Sequence, residues 1–296
     1  MPLDEFRPIE IQDRETFNRT LQGDPPRTSE LTFTNLFIWR HQYRPIWSQG
    51  EDCLLIILRP KEGPPFALPP VGQGNKGKAL DLLTQKLKQM SPEPRVCRVD
   101  EELVERFVEP GKYSSLPDRD NADYVYSSQD LIKLSGRKYH RKKNHLNRFL
   151  KNYTFEYRPM DAGLVQSFFE MQESWCRMRE CVESPELLAE DYAVHEALTQ
   201  FAELGFRGGA ILIDSKVEAF SLGEPLNKET AVIHIEKANP DIPGLYAAIN
   251  QGFCQNVWSE MPFINREQDL GIEGLRKAKE SYCPHHMVNK VTLIPK

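Results

Sequence analysis

The chain has 296 residues, of which 40% are hydrophobic and 27% are charged, and its 38 Lys and Arg are outnumbered by 43 Asp and Glu. This composition excludes a disordered chain, and the acidic balance excludes a general polyanion binder. The longest apolar run, Cys53–Leu58, is too short to cross a bilayer. Because Met1–Glu5 lacks the regions of a secretory signal, we expect a cytoplasmic protein with no transmembrane segment and with reduced cysteines.

The length predicts about two domains, and the first part of the chain reads as mixed α/β. An aromatic-rich segment at Leu31–Arg40 comes first. The patterns that follow predict a buried strand, a Pro- and Gly-rich loop, a helix, a strand and a helix, at Asp52–Leu58, Pro60–Gly77, Ala79–Met90, Val96–Val99 and Glu101–Val108. A polar segment broken by Pro and Gly, Pro110–Asp123, predicts a loop.

A basic segment lies between Leu131 and Phe155, which contains no acidic residue. Its eight cations are Lys133, Arg137, Lys138, Arg141, Lys142, Lys143, Arg148 and Lys151. Without these eight, the other 30 basic residues face all 43 acidic ones. The apolar residues of the segment have helical spacing, which predicts a helix with a cationic outer face. Such a stripe can bind one anionic ligand or surface; the alternative is a solvated helix whose charges pair with acids elsewhere.

The second half predicts a more regular order of elements. A strand at Phe155–Arg158 precedes two helices, Leu164–Met178 and Tyr192–Leu204, the second of which ends at Gly205. The remaining elements are predicted to be a hairpin through Asp214-Ser215-Lys216, a strand, a helix, a strand, a helix and a closing strand, at Gly209–Leu222, Ala231–Ile235, Gly244–Trp258, Phe263–Ile264, Ile272–Tyr282 and Lys290–Ile294.

That order resembles the GNAT acyltransferase fold, with residues 155–296 as one copy. More specific segments resemble a bacterial family of unknown function grouped with the C-terminal domain of phosphatidylglycerol lysyltransferases. These segments are Asp123–Tyr126, Gly136–Phe149, His234–Asn239, Asp241–Tyr246, Asn265–Lys279 and Ser281–Pro284. More distantly, the arrangement is similar to the Fem-type peptidyltransferases, which transfer amino acids from aminoacyl-tRNA and contain two GNAT-like domains.

The resemblance implies an α+β fold of two tandem GNAT-like domains, each with a mixed, mostly antiparallel sheet flanked by helices. It implies a degenerate N-terminal domain in residues 1–150, which ends in a basic helix at 136–152. The C-terminal domain, residues 151–296, would then carry the active site.

GNAT-type transfer needs a base for the acceptor and an acid for the leaving group. By the resemblance, Glu236 at the end of a strand is the catalytic base, and Tyr282 at the end of a helix is the catalytic acid. The structural alternatives are that Glu236 pairs with Lys237 or Arg266, and that Tyr282 only fills the gap between sheet and helix.

GNAT enzymes bind the pyrophosphate of coenzyme A on a Gly-rich turn before a helix. The equivalent turn here, Asn239–Ala248, has one glycine, while Pro243 removes a backbone donor and Asp241 would repel phosphate. We therefore expect that no cofactor is required, with coenzyme A as the alternative. The pair His285-His286 has no partner at metal spacing, so no metal site is expected.

The expected substrate or phosphate contacts come from three places. They are Lys138, Arg141, Lys142 and Lys143 of the basic segment, Asn239, Gly244 and Tyr246 of the turn, and Asn265, Arg266, Glu267 and Lys277 near the C-terminus. Asp269 is expected to cap the helix that starts near Ile272, and His234 is expected to be a hydrogen-bonded core residue.

Taken with these patterns, the resemblance implies an acyl-transfer enzyme that moves an aminoacyl group from aminoacyl-tRNA to an amine or hydroxyl of a lipid headgroup, peptide or small molecule. The expected partners are tRNA, through the basic helix, and peripherally an anionic lipid surface. Two alternatives stay open: an N-acyltransferase that uses acetyl- or acyl-coenzyme A, and a non-catalytic module that binds RNA or an anionic membrane.

Overall fold

The structure is a computed structural model that describes residues 6–296; Met1–Glu5, which the signal-peptide expectation concerns, lies outside the described residues. The chain forms two compact units. One consists of the residues up to Asp123 together with Val288–Lys296, and the other is Tyr124–Met287. Each contains a mixed, mostly antiparallel sheet flanked by helices, which confirms the predicted α+β class.

The first unit is built on a sheet in which the only parallel pair among the described strands is β4 with β6. Its labelled strands are β1 (Arg7–Pro8), β2 (Ile46–Gly50), β3 (Cys53–Leu58), β4 (Phe66–Ala67), β5 (Val71–Gly72), β6 (Val96–Asp100) and β7 (Tyr113–Pro117). Its helices are α1 (Arg14–Gly23), α2 (Phe33–Ile38), α3 (Arg40–Tyr43), α4 (Lys76–Met90) and α5 (Glu101–Phe107). All six residues of β3 are buried, as its apolar run predicted.

The C-terminal strand, Lys290–Pro295, lies in this first sheet, between β6 and β7. A buried ion cluster helps to hold it there: Lys290 Nζ donates to both oxygens of Glu30 at 2.8 Å and to Asp123 Oδ1 at 2.6 Å. All three side chains are buried. The expectation that this strand closes the C-terminal domain is therefore wrong, because its charge partners belong to the first unit.

The second unit is a sheet of seven strands in the order β14-β8-β13-β12-β11-β10-β9. These strands are β8 (Asp123–Ser127), β9 (Glu156–Pro159), β10 (Arg207–Ile213), β11 (Lys216–Pro225), β12 (Thr230–Ala238), β13 (Phe263–Asn265) and β14 (His286–Val288). Its helices are α6 (Ser128–Lys133), α7 (His140–Asn152), α8 (Val165–Met178), α9 (Pro185–Thr199), α10 (Phe201–Leu204), α11 (Leu245–Val257) and α12 (Glu273–Glu280). The predicted hairpin turns at Asp214 and Ser215, which both have positive φ.

The predicted boundary between residues 150 and 151 differs from the division seen here. Strand β8 pairs with β13 inside the second sheet, from Ser127 opposite Phe263 to Val125 opposite Asn265. The basic helix α7 packs on α11 of the same unit. Both elements begin before residue 150, but their apolar residues are buried in the core of the second unit.

A disulfide joins Cys176 and Cys181, whereas we expected reduced cysteines. Helix α8 ends at Met178, and Glu180 adopts a left-handed conformation before a short 3-10 helix at Cys181–Glu183. This reversal brings the two Cα atoms to 5.1 Å, within the range that a disulfide spans. The other four cysteines are free. No helix within residues 6–296 combines the length and the apolar character needed to cross a membrane.

Candidate active site

The candidate site lies where strands β12 and β13 separate. They run parallel and pair only from Thr230 opposite Phe263 to Val232 opposite Asn265. Beyond this point β12 continues to Ala238, whereas β13 ends. The two strands therefore diverge beyond Val232 and Asn265, and Glu236 and Arg266 lie at this opening.

Glu236 and Arg266 bridge this opening. Glu236 Oε1 lies 2.8 Å from Arg266 Nη2, and Glu236 Oε2 accepts a hydrogen bond of 2.9 Å from the side chain of Asn250 on α11. The alternative that Glu236 pairs with Arg266 is therefore the one observed. Arg266 Nη1 and Asn250 Oδ1 are buried, and neither has a hydrogen-bond partner among the described residues. Within this group, which we call the Arg266 cluster and which also includes Tyr126, Tyr282 and Cys254, one donor and one acceptor thus have no partner among the described residues.

Two tyrosine rings enclose the Arg266 guanidinium. Its central carbon lies 4.7 Å from the ring centre of Tyr282 and 5.7 Å from that of Tyr126. Burial raises the pKa of Tyr282 to about 12, although the positive Arg266 acts in the opposite direction. Tyr282 therefore holds its proton at neutral pH, as a general acid must. It follows α12, which ends at Glu280, so the expectation that Tyr282 closes the helix is off by two residues.

Lys142 reaches the same cluster from the basic helix. Its Nζ lies 4.1 Å from the ring centre of Tyr282, and it forms no ion pair with any carboxylate of residues 6–296. Burial lowers the pKa of Lys142 to about 8. The positive charges of Arg266 and Arg141 act in the same direction, and the negative charge of Glu236 opposes them.

The remaining basic residues divide into two groups. Lys138 is 3.6 Å from Asp130. The other six are exposed and have no carboxylate partner in the described part of the chain: Lys133, Arg137, Arg141, Lys143, Arg148 and Lys151. We call these six the cationic face. Among the described basic residues of the segment, the alternative of pairing with an acid is therefore observed for Lys138 alone, and these six side chains are exposed to solvent.

The basic helix is seated by a close backbone contact with the start of α11. Gly244 has φ +88°, and a Cβ at this position would lie 2.2 Å from the backbone oxygen of His145 on α7. Leu146 and Phe149 are buried beneath the helix. Gly244, predicted as a phosphate contact, therefore has a packing role that only glycine can fill.

The loop after β13 is fixed to the sheet by a buried histidine. His234 Nδ1 lies 2.8 Å from Glu267 Oε1, and His234 Nε2 lies 2.9 Å from Glu224 Oε1. Burial alone would lower the pKa of His234, but these two carboxylates outweigh it and raise the pKa to about 9. Asn265, also buried, accepts from the Glu267 backbone N–H at 2.7 Å. His234 is a hydrogen-bonded core residue as expected, and Asn265 and Glu267 build the loop that carries Arg266.

Helix α12 is held differently from what we expected. Its N-cap position is Ile272, and Asp269 instead accepts from the Arg276 side chain, from the Gly271 N–H and from the Tyr124 hydroxyl. Burial acts to raise the pKa of Asp269, but the bonds from Arg276 and Tyr124 lower it well below its usual range. Lys277 is exposed and pairs with Glu273, one helical turn earlier, and it does not contact Arg266.

The turn predicted to bind phosphate satisfies its own backbone. The Asp241 N–H donates to Asn239 Oδ1, the Ile242 N–H to the Asn239 carbonyl, and the Leu245 N–H to the Ile242 carbonyl. The Asn239 side chain donates to Glu218 at 2.8 Å. These three backbone donors of the turn are therefore used within the protein.

Lys237, the residue after Glu236 on β12, belongs to a second group of contacts. Lys237 is buried, with Nζ 3.5 Å from the ring centre of Trp175 and 2.7 Å from Glu190 Oε2. Trp175 Nε1 donates to the hydroxyl of Tyr246 at 3.0 Å. Tyr246, predicted as a substrate contact, is therefore tied to α8 but remains 40% exposed.

Sequence reasoning missed three residues of the site. Asn250, Tyr126 and Cys254 all contribute to the surroundings of Arg266. Asn250 carried a usable signal, because it is a polar residue on the buried face of an apolar helix. Within residues 6–296, no group of three or more His, Cys, Asp or Glu side chains is arranged to hold a metal ion.

Residues 25–294 match the family described as phosphatidylglycerol lysyltransferase, C-terminal. A conserved protein of unknown function from Bacteroides thetaiotaomicron is 33% identical, with a TM-score of 0.91 and 99% of each chain covered. The C-terminal domain of a putative lysylphosphatidylglycerol synthetase from Agrobacterium fabrum is 11% identical, with a TM-score of 0.70, 96% of this chain and 92% of that one. L-PGS from Bacillus licheniformis is 16% identical with a TM-score of 0.64 and the same coverage.

An uncharacterized protein of Mycoplasmoides gallisepticum is 21% identical over 218 residues, which covers 71% of this chain and 68% of that protein. The two synthetase structures share the fold with this chain at low identity.

Proposed function

Because the chain belongs to the family of phosphatidylglycerol lysyltransferase C-terminal domains, we propose that it is a transferase that moves an aminoacyl group from aminoacyl-tRNA to an amine or hydroxyl acceptor. The observation that carries this proposal is the cationic face, which has no carboxylate partners in residues 6–296 and four of whose six cations lie on α7 with Lys142: Arg141, Lys143, Arg148 and Lys151. A polyanionic donor can bind that face while its reactive end reaches the cluster.

We propose that the phosphates of the aminoacyl-tRNA donor bind to the cationic face. Unpaired Lys and Arg side chains bind phosphates by releasing counterions, and such binding weakens steeply with salt. Arg141 and Lys143 are exposed and flank Lys142 in the sequence. We assign the acceptor end of the bound tRNA to the neighbourhood of Lys142, on the same helix.

In the cluster, Arg266 is assigned to the ester carbonyl. Its buried Nη1 lacks a protein partner and can donate to the oxygen that becomes negative when the carbonyl is attacked. Glu236 holds the guanidinium in place through Nη2. Tyr282, which keeps its proton at neutral pH, is assigned to protonate the leaving ribose oxygen.

Coenzyme A is not proposed as the donor. The amides of Asp241, Ile242 and Leu245 already donate within the turn, so these three are not open to a pyrophosphate. The carboxylate of Asp241 would add repulsion. We assign no step to that cofactor.

The donor assignment is tested by titrating the protein with bulk tRNA at several salt concentrations. We expect the double substitution Arg141→Glu/Lys143→Glu to weaken binding at least tenfold and to make the slope of log K against log salt shallower by about 2. The matched control is Lys228→Glu, an exposed lysine in the turn between β11 and β12. Equal affinity of the double variant and the control would contradict the assignment.

Transfer itself is tested with bulk tRNA charged with radiolabelled amino acids. Phosphatidylglycerol vesicles and a nucleic-acid-free bacterial extract are supplied as separate acceptors. Label that moves to either acceptor supports the proposal. Salt-dependent tRNA binding without any loss of label from tRNA would instead establish a binding module.

A further inference from the structure

Lys142 differs from every other cation of the basic segment. Its side chain is half-buried, whereas the six cations of the cationic face are exposed. Lys138 pairs with Asp130, but Lys142 forms no ion pair with the described residues. Its Nζ is instead positioned over the ring of Tyr282, on the helix face that meets the buried cluster.

The other ionisable groups of the cluster already have partners or hold their protons. Each oxygen of Glu236 accepts a hydrogen bond, one from Arg266 and one from Asn250. Tyr282 is protonated at neutral pH. Burial raises the pKa of Cys254 to about 12, so its thiol is protonated as well. Arg266 is permanently charged.

We propose that Lys142, as the neutral amine, is the general base that removes the proton from the attacking amine or hydroxyl of the acceptor. This inference rests on the proposed aminoacyl transfer and replaces Glu236 in the base role. The charged and titratable groups that face Lys142 are Arg141 on its own helix and Arg266, Glu236 and Tyr282 from the cluster.

Lys142 acts on the attacking group of the acceptor, and Tyr282 acts on the leaving ribose oxygen of the donor. The acceptor nitrogen or oxygen forms a bond to the ester carbonyl carbon, and its proton passes to Lys142 Nζ. The bond between that carbon and the ribose oxygen breaks, and the ribose oxygen takes the proton of Tyr282. Lys142 then releases its proton to solvent and Tyr282 regains one, which restores both groups.

The protonation behaviour of Lys142 supports this role. Burial and the charges of Arg266 and Arg141 lower the pKa of Lys142 to about 8. A substantial fraction is therefore a neutral amine near neutral pH, while an exposed lysine at about 10.4 is almost entirely charged.

The first test measures the reactivity of individual lysines in the whole protein with a trace amount of an amine-acylating reagent between pH 6 and 11. We expect Lys142 to reach half-maximal reactivity near pH 8 in the folded protein, and near the ordinary lysine value of about 10.4 after denaturation. Coincident titration of Lys142 in the folded and the denatured protein would overturn the proposal.

The second test measures transfer from bulk aminoacyl-tRNA by Lys142→Arg, which keeps a positive charge but cannot act as a base near neutral pH. We expect unchanged tRNA affinity and a transfer rate at least 100-fold lower, and no loss in the control Lys228→Arg, at the exposed lysine between β11 and β12. In the wild type the rate should rise with pH through about 8.

A Lys142→Arg variant that retains the wild-type rate would overturn the role of Lys142 alone. No transfer by the wild-type protein with any acceptor would overturn the proposed function, and the base role with it.

Discussion

The carboxylate of Glu236 and the guanidinium of Arg266 form a buried ion pair across the opening between β12 and β13, with 2.8 Å between Oε1 and Nη2. Glu236 lies beyond the stretch of β12 that pairs with β13, and Arg266 follows the end of β13, so the ion pair joins two stretches of chain that the hydrogen bonds between these two strands leave apart. The side chains are 12% and 14% exposed, which shields the pair from water.

Removing one charge of this pair should destabilise the protein strongly. Glu236→Gln leaves Arg266 buried without its counter-charge, and we expect the free energy of unfolding to fall by about 3 kcal/mol. Urea unfolding provides the measurement. The control Glu273→Gln breaks the exposed pair with Lys277 and should cost less than about 0.5 kcal/mol. Equal costs would show that the Glu236 pair is solvated.

The two carboxylate contacts of His234 predict a dependence of stability on pH. The pKa of His234 is raised to about 9 in the folded protein, and an unfolded histidine titrates near 6.5. The protonated form therefore contributes fully below about pH 6.5, and its contribution, about 3 kcal/mol, is lost as pH rises through 9. Unfolding free energies measured from pH 6 to 10 should show this loss in the wild type and a smaller loss in His234→Gln. Parallel curves would contradict a charged His234.

Gly244→Ala should displace the basic helix. The added methyl group would meet the backbone of His145, and the left-handed backbone adds strain, so we expect a loss of more than about 2 kcal/mol. Gly136→Ala is the matched control, because Gly136 has φ +89° but no atom lies within 4 Å of the place that its added methyl group would occupy. We expect about 1 kcal/mol for the control. Thermal unfolding measures the loss of stability, and tRNA affinity measures the displacement of the basic helix. A Gly244→Ala protein as stable as Gly136→Ala would exclude the close packing.

Thiol titration tests the disulfide between Cys176 and Cys181. The denatured, unreduced protein should present four thiols, and the reduced protein all six. Reduction opens a short loop, so it should lower the free energy of unfolding by about 2 kcal/mol. The variant Cys176→Ser/Cys181→Ser should be insensitive to reductant, whereas Cys97→Ser should respond like the wild type. Six thiols without reductant would contradict the bond.

Local patterns predicted most of the elements well. The apolar run of β3 and the helical spacing of α4 and α11 identify structure through nearby residues alone. Strand β7 escaped detection because four of its five residues are exposed at the sheet edge, which leaves no apolar alternation in Tyr113–Pro117. The C-terminal strand was assigned to the wrong sheet because its charge partner Glu30 is 260 positions away.

The site was predicted through resemblance more than through pattern. Glu236, Arg266 and Tyr282 do lie together, but the sequence could not show that both oxygens of Glu236 are already used. Asn250 supplies one of those contacts from a different element. The special position of Lys142 among eight neighbouring cations depends on how α7 is rotated toward Tyr282, which composition does not record.

Aminoacyl transfer at the Arg266 cluster is tested most directly by the release of radiolabelled amino acid from bulk aminoacyl-tRNA in the presence of acceptor. The wild-type protein should transfer label well above the protein-free rate. Tyr282→Phe, which keeps the ring over Arg266 but lacks the proton donor, should transfer at least 100-fold more slowly with unchanged tRNA affinity. No release above the protein-free rate, or equal rates for the two proteins, would contradict transfer at this cluster.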